Sequence, residues 1–259
     1  MPEILTSVQN PRIKNLVALQ QKSSLRRETG LFVVEGARET RHCIDAGYRI
    51  DSIFLCPSLL GDFSVPAGVK HFEVSPEVYE KVAYRGSTEG IIAVVESRKT
   101  NLEDIALSAN PLIVVLESVE KPGNLGAVLR SADAAGADAV IICDPLTDLY
   151  NPNLVRASIG SIFTKQVVCC SSEQAISWLK KNNIKIYTAQ LQDSNWYYDT
   201  DMKSGTAIVM GTEATGLTGI WRQAADAHIK IPMLGALDSL NVSVSAAILL
   251  FEAVRQRNG

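Results

Sequence analysis

The sequence predicts an α/β protein in two parts: a small amino-terminal α/β domain and a larger carboxyl-terminal α/β domain on a parallel sheet. Three observations predict it. Apolar runs and helical segments alternate along all 259 residues, as they do where strands and crossover helices succeed one another. Several later runs, such as residues 112–116 and 139–142, are continuously apolar, the pattern of parallel strands covered on both faces. The charge also changes near residue 100: residues 1–98 hold twelve basic and twelve acidic side chains, residues 99–259 thirteen and sixteen.

In chain order, residues 14–20 are expected as helix and 31–34 as strand. Residues 37–46 are helical, closed by Gly47, since glycine takes the left-handed conformation that ends a helix. Residues 53–55 and 72–74 are strands. Pro76 opens a helix reaching Tyr84, as proline does at a first helical position, and residues 90–95 form a central strand. The polar stretch 97–104 reads as a linker, which sets boundaries at 1–98, 99–108 and 109–259. In the second part, strands are expected at 112–116, 139–142, 166–168, 184–187, 207–210 and 228–231. Helices are expected at 125–135, 152–159, 173–182 and about 242–257. Ser171 and Gln174 fit a capping box.

The composition narrows the function. A hydrophobic fraction of 46% with 20% charged residues fits a full globular core. No apolar run approaches the ~18 to 20 residues of a membrane span. The first residues lack a signal-peptide pattern, so a cytoplasmic location is expected. The five cysteines contain no CxxC pair and read as reduced thiols. His42, His71 and His228 have no ligand spacing, so no metal is expected. GxSxG and GxxxxGK[ST] motifs are missing.

A net charge of −3 excludes a uniformly basic coat for nucleic acid, but not a local patch. Between Gln9 and Arg41, seven basic residues face three acidic ones. From this segment Arg12, Lys14, Arg26, Arg27, Arg38 and Arg41 are expected to include a phosphate-contacting face.

In open parallel sheets, ligands bind outside the carboxyl ends of the strands, so the strand-to-helix junctions carry the chemistry. Three are unusual. After residues 112–116 comes ESVEKPGNLGAVLR, where Pro122 and Gly123 turn, Asn124 is placed to cap a helix, and Arg130 lies among small residues. After 207–210 comes GTEATGL. Its Glu213 would repel a pyrophosphate at a helix start, which argues against a dinucleotide-dependent oxidoreductase. The third, IPMLGALDSLNVSVSAA, combines an apolar loop suited to a flat aromatic ligand with Ser239 and Asn241 before the last helix.

Taken together, NLGAVLR, GTEATGL and IPM…SLNVSVSAA resemble the SpoU (TrmH-type) RNA ribose 2′-O-methyltransferases of the SPOUT superfamily. The opening segment SVQNPRIKNLVALQQKSSLRRETGLFVVEGARE resembles that family's substrate-binding domain, itself similar to kink-turn-binding ribosomal proteins. The resemblance spans essentially the whole chain, and the three motifs follow the family pattern throughout.

The resemblance implies a carboxyl-terminal trefoil knot, S-adenosylmethionine as cofactor, a homodimer, and structured RNA as substrate, 23S ribosomal RNA ahead of transfer RNA. It places Arg130 at the target hydroxyl, with Asn124, Glu213, Ser239 and Asn241 as further polar site residues. The cofactor is expected at Thr188, Ala189, Gly211, Ile231, Met233 and Leu240. An arginine, with a pKa above ~12, is a poor base unless strongly desolvated, so both a positioning and a proton-accepting role stay open. A non-catalytic RNA-binding protein of the same fold is the alternative, disfavoured by the intact polar set.

Overall fold

A computed structural model describes residues 3–84, 89–212 and 214–259. The chain forms two compact units: Met1–Arg98 with Asp148–Thr164, and Lys99–Thr147 with Lys165–Gly259.

The first unit begins with β1 (Glu3–Leu5), α1 (Pro11–Gln21), α2 (Ser23–Thr29), β2 (Leu31–Glu35) and α3 (Ala37–Asp45). It continues with β3 (Ile50–Leu55), β4 (Lys70–Val74), α4 (Pro76–Val82) and β5 (Ile91–Glu96). Local chemistry sets the boundaries. Asn10 accepts from the amide of Arg12 at the start of α1, and Ser75 from the amide of Val78 at the start of α4, each ahead of a proline. Gly30 (φ 66°) ends α2. The sheet runs β1-β4-β3-β5-β2. β1, β4 and β3 are parallel, whereas β5 is antiparallel to both β3 and β2. Ile13, Leu16, Leu19, Phe54, Phe72 and Val78 pack its core. β1 and α2 are absent from the sequence reading because three residues show no periodicity and α2 carries one apolar residue, Leu25.

The second unit opens with β6 (Leu112–Glu117), α5 (Pro122–Ala134) and β7 (Ala139–Cys143). The chain then contributes α6 (Pro152–Ser158) and α7 (Ser161–Thr164) to the first unit. β8 (Gln166–Cys170), α8 (Ser172–Lys181), β9 (Lys185–Ala189), β10 (Asn195–Trp196), β11 (Thr206–Met210), α9 (Gly219–Ala224), β12 (Ala227–Lys230) and α10 (Val242–Asn258) complete the second unit. Its seven strands run β10-β12-β9-β11-β6-β7-β8, every pair parallel. The central strands are buried along their length, as their continuously apolar sequences require. All carboxyl ends therefore lie along one edge of the sheet.

Two expectations need correction. The sequence boundaries assign the helix at 152–159 to the second part, but residues 148–164 pack in the first unit. Tyr150 stacks on Phe32 at 4.1 Å, and Phe163 meets Tyr48 edge-on at 5.2 Å. Arg26 is the second. It is 5% exposed and forms an ion pair with Asp148 at 2.6 Å. Its guanidinium also donates to the carbonyls of Leu19 and Gln20. Arg26 is thus a structural clamp and is withdrawn from the phosphate-contacting set.

Removing one member of a buried ion pair costs about 3 kcal/mol. Arg26→Ala should lower unfolding stability by about that amount in denaturant titration, and the neighbouring exposed Arg27→Ala by less than about 0.5 kcal/mol. Equal effects would show that the buried network does not hold this segment.

Candidate active site

The parallel sheet delivers three strand ends to one place. β9 ends at Ala189, β11 at Met210 and β12 at Lys230, in register through the pairs Val209–Thr188 and Ala189–Ile229. The Gln190 amide continues the ladder by donating to the Ile229 carbonyl at 3.0 Å. Past these ends lies a cavity of about 790 Å³, within the usual size for small-molecule sites. Met210, Ile229, Ile231, Met233 and Leu249 supply apolar wall; Gln190, Thr212, Asp238, Ser239, Asn241 and Ser245 supply polar groups. Within the wall, the Gln190 side-chain amide donates to the Gln192 carbonyl at 2.9 Å. That bond fixes the amide orientation. It leaves Gln190 Oε1 buried and without a hydrogen-bond partner among the described residues.

One wall is the loop after β11. Thr212 and Gly216 bridge to one another by backbone hydrogen bonds, at 3.3 and 3.1 Å, and Thr212 Oγ1 accepts from the amide of Thr215 at 3.0 Å. A Cβ added at Gly211 would lie 2.3 Å from the carbonyl of Gly216. Gly216 itself has φ +69°. The two glycines are therefore needed for the loop to fold back on its own backbone.

Glu117, at the end of β6, anchors this loop. It is 2% exposed. Its Oε2 accepts from the amide of Thr218 at 2.8 Å and its Oε1 from the Thr218 hydroxyl at 2.6 Å. Ser172 Oγ lies 3.3 Å from Glu117 Oε1, donates to Asp144 Oδ2 at 2.6 Å, and accepts from the Trp221 indole at 2.9 Å. The start of α9 is thereby tied to β6 and to the start of α8. Glu117 has no role in the sequence reading. The available signal is a carboxylate directly at the end of a continuously apolar strand.

Of the expected cofactor residues, Ala189, Gly211, Ile231, Met233 and Leu240 line the cavity. Thr188 does not line it: its side chain is fully buried, with Oγ1 bonded to His228 Nδ1 at 2.6 Å. Ser239 and Asn241 line the cavity, whereas Glu213 lies outside the described residues. Asn124 does not cap α5, which begins earlier, after Lys121. Its Oδ1 instead accepts from Asn241 Nδ2 at 3.1 Å, joining the starts of α5 and α10. Asn241 caps α10 by accepting from the amide of Ser243 at 2.9 Å. Arg130 is exposed on α5 and is not among the residues lining the cavity. In the first unit Arg12, Lys14, Arg27, Arg38 and Arg41 are all exposed. Arg12 lies 4.7 Å over the Phe72 ring, Arg38 pairs with Glu39 at 2.9 Å, and Arg41 donates to the Asp62 carbonyl.

Residues 111–251, more than half of the chain, match the SpoU rRNA Methylase family. The chain belongs to the SpoU family. Residues 10–93 match the MRM3-like substrate binding domain. The chain is 35% identical over 247 residues to the 23S rRNA (guanosine-2′-O-)-methyltransferase RlmB of Haemophilus influenzae, covering 88% of this chain and 90% of that protein. Two crystal structures align over nearly the full length. One, of an RNA 2′-O ribose methyltransferase, is 38% identical with a TM-score of 0.86, over 99% of this chain and 100% of that one. The other, an AdoMet-bound rRNA methyltransferase from Sinorhizobium meliloti, is 30% identical with a TM-score of 0.88, over 98% and 97%. The fold expected from the sequence, a SPOUT-type α/β domain behind a smaller α/β domain, is thus the fold of this SpoU-family chain.

In this SpoU-family site, Gly211→Val should displace the loop from Gly216, because a side chain and that carbonyl cannot share the space. Calorimetry should then find at least about tenfold weaker binding of S-adenosylhomocysteine in a variant whose circular dichroism matches the wild type. Normal affinity would mean that this loop does not shape the pocket.

Proposed function

We propose that this chain transfers a methyl group from S-adenosylmethionine to a ribose 2′-hydroxyl of 23S ribosomal RNA. The observation that carries the reading is the cavity at the ends of β9, β11 and β12, where the residues of two SpoU motifs converge. The cofactor fits what is present. The apolar wall suits a purine face, and the unpartnered Gln190 Oε1 offers an acceptor to a buried donor. When bound, S-adenosylmethionine supplies a methyl on a sulfonium, the electrophile of an in-line displacement.

The protein's part is alignment of the ribose oxygen and help with loss of its proton. Asn241 and Ser239 stand at the cavity, and Asn124 holds Asn241. Arg130 acts on the target hydroxyl. Its exposed position on α5 suits a site completed by a second copy of the chain. Support for a homodimer comes from α10, where Val244, Ile248 and Phe251 form a stripe at helical spacing with Val244 and Phe251 each 47% exposed. The trefoil knot implied by the SpoU resemblance would lie in the connections between β11 and α10.

Residues 10–93, by their match to a substrate-binding domain, hold the RNA, with Arg12, Lys14, Arg27, Arg38 and Arg41 as phosphate contacts. Relatives such as the Haemophilus influenzae protein act on 23S rRNA by name, which favours that substrate over transfer RNA. No helix among the described residues is long and apolar enough to cross a membrane, and the proposed setting is the cytoplasm. Transfer of labelled methyl from S-adenosylmethionine to transcripts of 23S rRNA and of transfer RNA tests the reading. Label in neither would overturn it.

Arg130→Ala should abolish single-turnover methyl transfer from a preformed complex while RNA and S-adenosylhomocysteine still bind. Arg130→Lys should restore little, because a point charge does not position a hydroxyl as a planar fork does. A near-normal rate in either variant would remove Arg130 from the chemistry.

Phe251→Glu should convert the protein to a monomer in sedimentation velocity and abolish transfer with it. A dimer that persists would place the subunit contact elsewhere.

A further inference from the structure

Three cations line the cavity, Lys121, Arg222 and Lys230, against one carboxylate among the described lining residues, Asp238. In a chain of net charge −3, this is a local excess of positive charge at the ligand site. The three cations differ in what they already do. Lys230 Nζ sits 4.8 Å over the Trp196 ring, and Lys121 is engaged as well. The Arg222 guanidinium is exposed and makes no hydrogen bond or ion pair with a described residue.

Its mounting is rigid. Arg222 follows Trp221, whose ring is fully buried and whose indole N–H donates to Ser172 Oγ at 2.9 Å. One turn earlier Thr218 is held through both backbone and side chain by the buried carboxylate of Glu117. A helix of six residues would fray in isolation; these bonds fix α9 (Gly219–Ala224) against β6 and α8. A free guanidinium on a fixed base at a cavity wall is preorganised to receive an anion, since little ordering remains when the anion arrives.

We propose that Arg222 binds a backbone phosphate of the substrate RNA beside the nucleotide being methylated. Two features favour a phosphate of the polymer over the carboxylate of the cofactor. Arg222 is exposed, whereas a small ligand sunk in the cavity leaves exposed wall positions uncovered; a polynucleotide entering with its ribose passes across them. The planar fork of arginine also matches two phosphate oxygens at once. The assignment rests on the methyltransferase reading and adds a substrate contact in the second unit to those of residues 10–93.

The test uses the full-length protein, a 23S rRNA transcript and S-adenosylhomocysteine. For wild type, Arg222→Gln and Arg222→Lys, RNA affinity is measured against potassium chloride concentration, and S-adenosylhomocysteine affinity by calorimetry. In Arg222→Gln we expect RNA affinity about tenfold lower at low salt, and a slope of log affinity against log salt reduced by roughly one. Arg222→Lys should keep the wild-type slope because it keeps the charge. S-adenosylhomocysteine affinity should be unchanged in both. An unaltered slope in Arg222→Gln would overturn the assignment. So would a loss of S-adenosylhomocysteine affinity with RNA affinity intact, since the anion would then be the cofactor's. Failure of wild type to bind either probe would overturn the methyltransferase reading and this contact with it.

Discussion

The site depends on one buried carboxylate. Glu117 ends β6, an interior strand of a parallel sheet, where desolvation makes an unpaired charge costly. Its partners come from segments far apart in sequence: the start of α9, through Thr218, and the start of α8, through Ser172. The requirement to satisfy Glu117 therefore fixes where α9 begins. The loop between Gly211 and Leu217 has to close in the space that remains, which is why it folds tightly on two glycines.

The last helix is held at both ends. At its start, Asn241 caps α10 and reaches Asn124 on α5. At its finish, Arg257 donates to the carbonyls of Met202, Asn110, Ser204 and Pro111, at 2.8 to 3.2 Å. Burial of this guanidinium pulls its pKa below the ordinary arginine value. Four carbonyls from the approaches to β6 and β11 thus register the helix end against the sheet, while the asparagine pair registers its beginning at the cavity. The polar residues before α10 inherit their position from both anchors.

Much of this was legible in the sequence, for physical reasons particular to each element. Continuous apolar runs mark β6, β7 and β11 because both faces of those strands are covered. Pro76 and the Ser171–Gln174 pair mark helix starts, the pair because orphan amides need acceptors. The cavity loops were legible as strand-to-helix junctions of unusual composition. What was hidden depends on long-range pairing. Arg26 looks like any surface arginine until Asp148, 122 residues away, is placed beside it. Asn124 has the chemistry of a cap, but α5 begins earlier and its amide side chain serves Asn241. Thr188 stands at a strand end like its neighbour Ala189, yet the alternation of side chains turns it away from the cavity, toward His228. Glu117, Gln190 and Arg222 carry no motif of their own.

The first unit is assembled from two separated stretches of chain. Its aromatic cluster takes Phe32 and Tyr48 from the first stretch and Tyr150 and Phe163 from the second. Heredity cannot treat such a unit as a cassette. A recombination joining a new amino-terminal region at residue 98 would bring a foreign surface to Tyr150, Phe163 and Asp148, and deprive them of Phe32 and Arg26. Exchange of this region between lineages thus requires two compatible crossovers or gradual substitution on both sides, which binds the evolution of residues 148–164 to that of a region encoded well upstream.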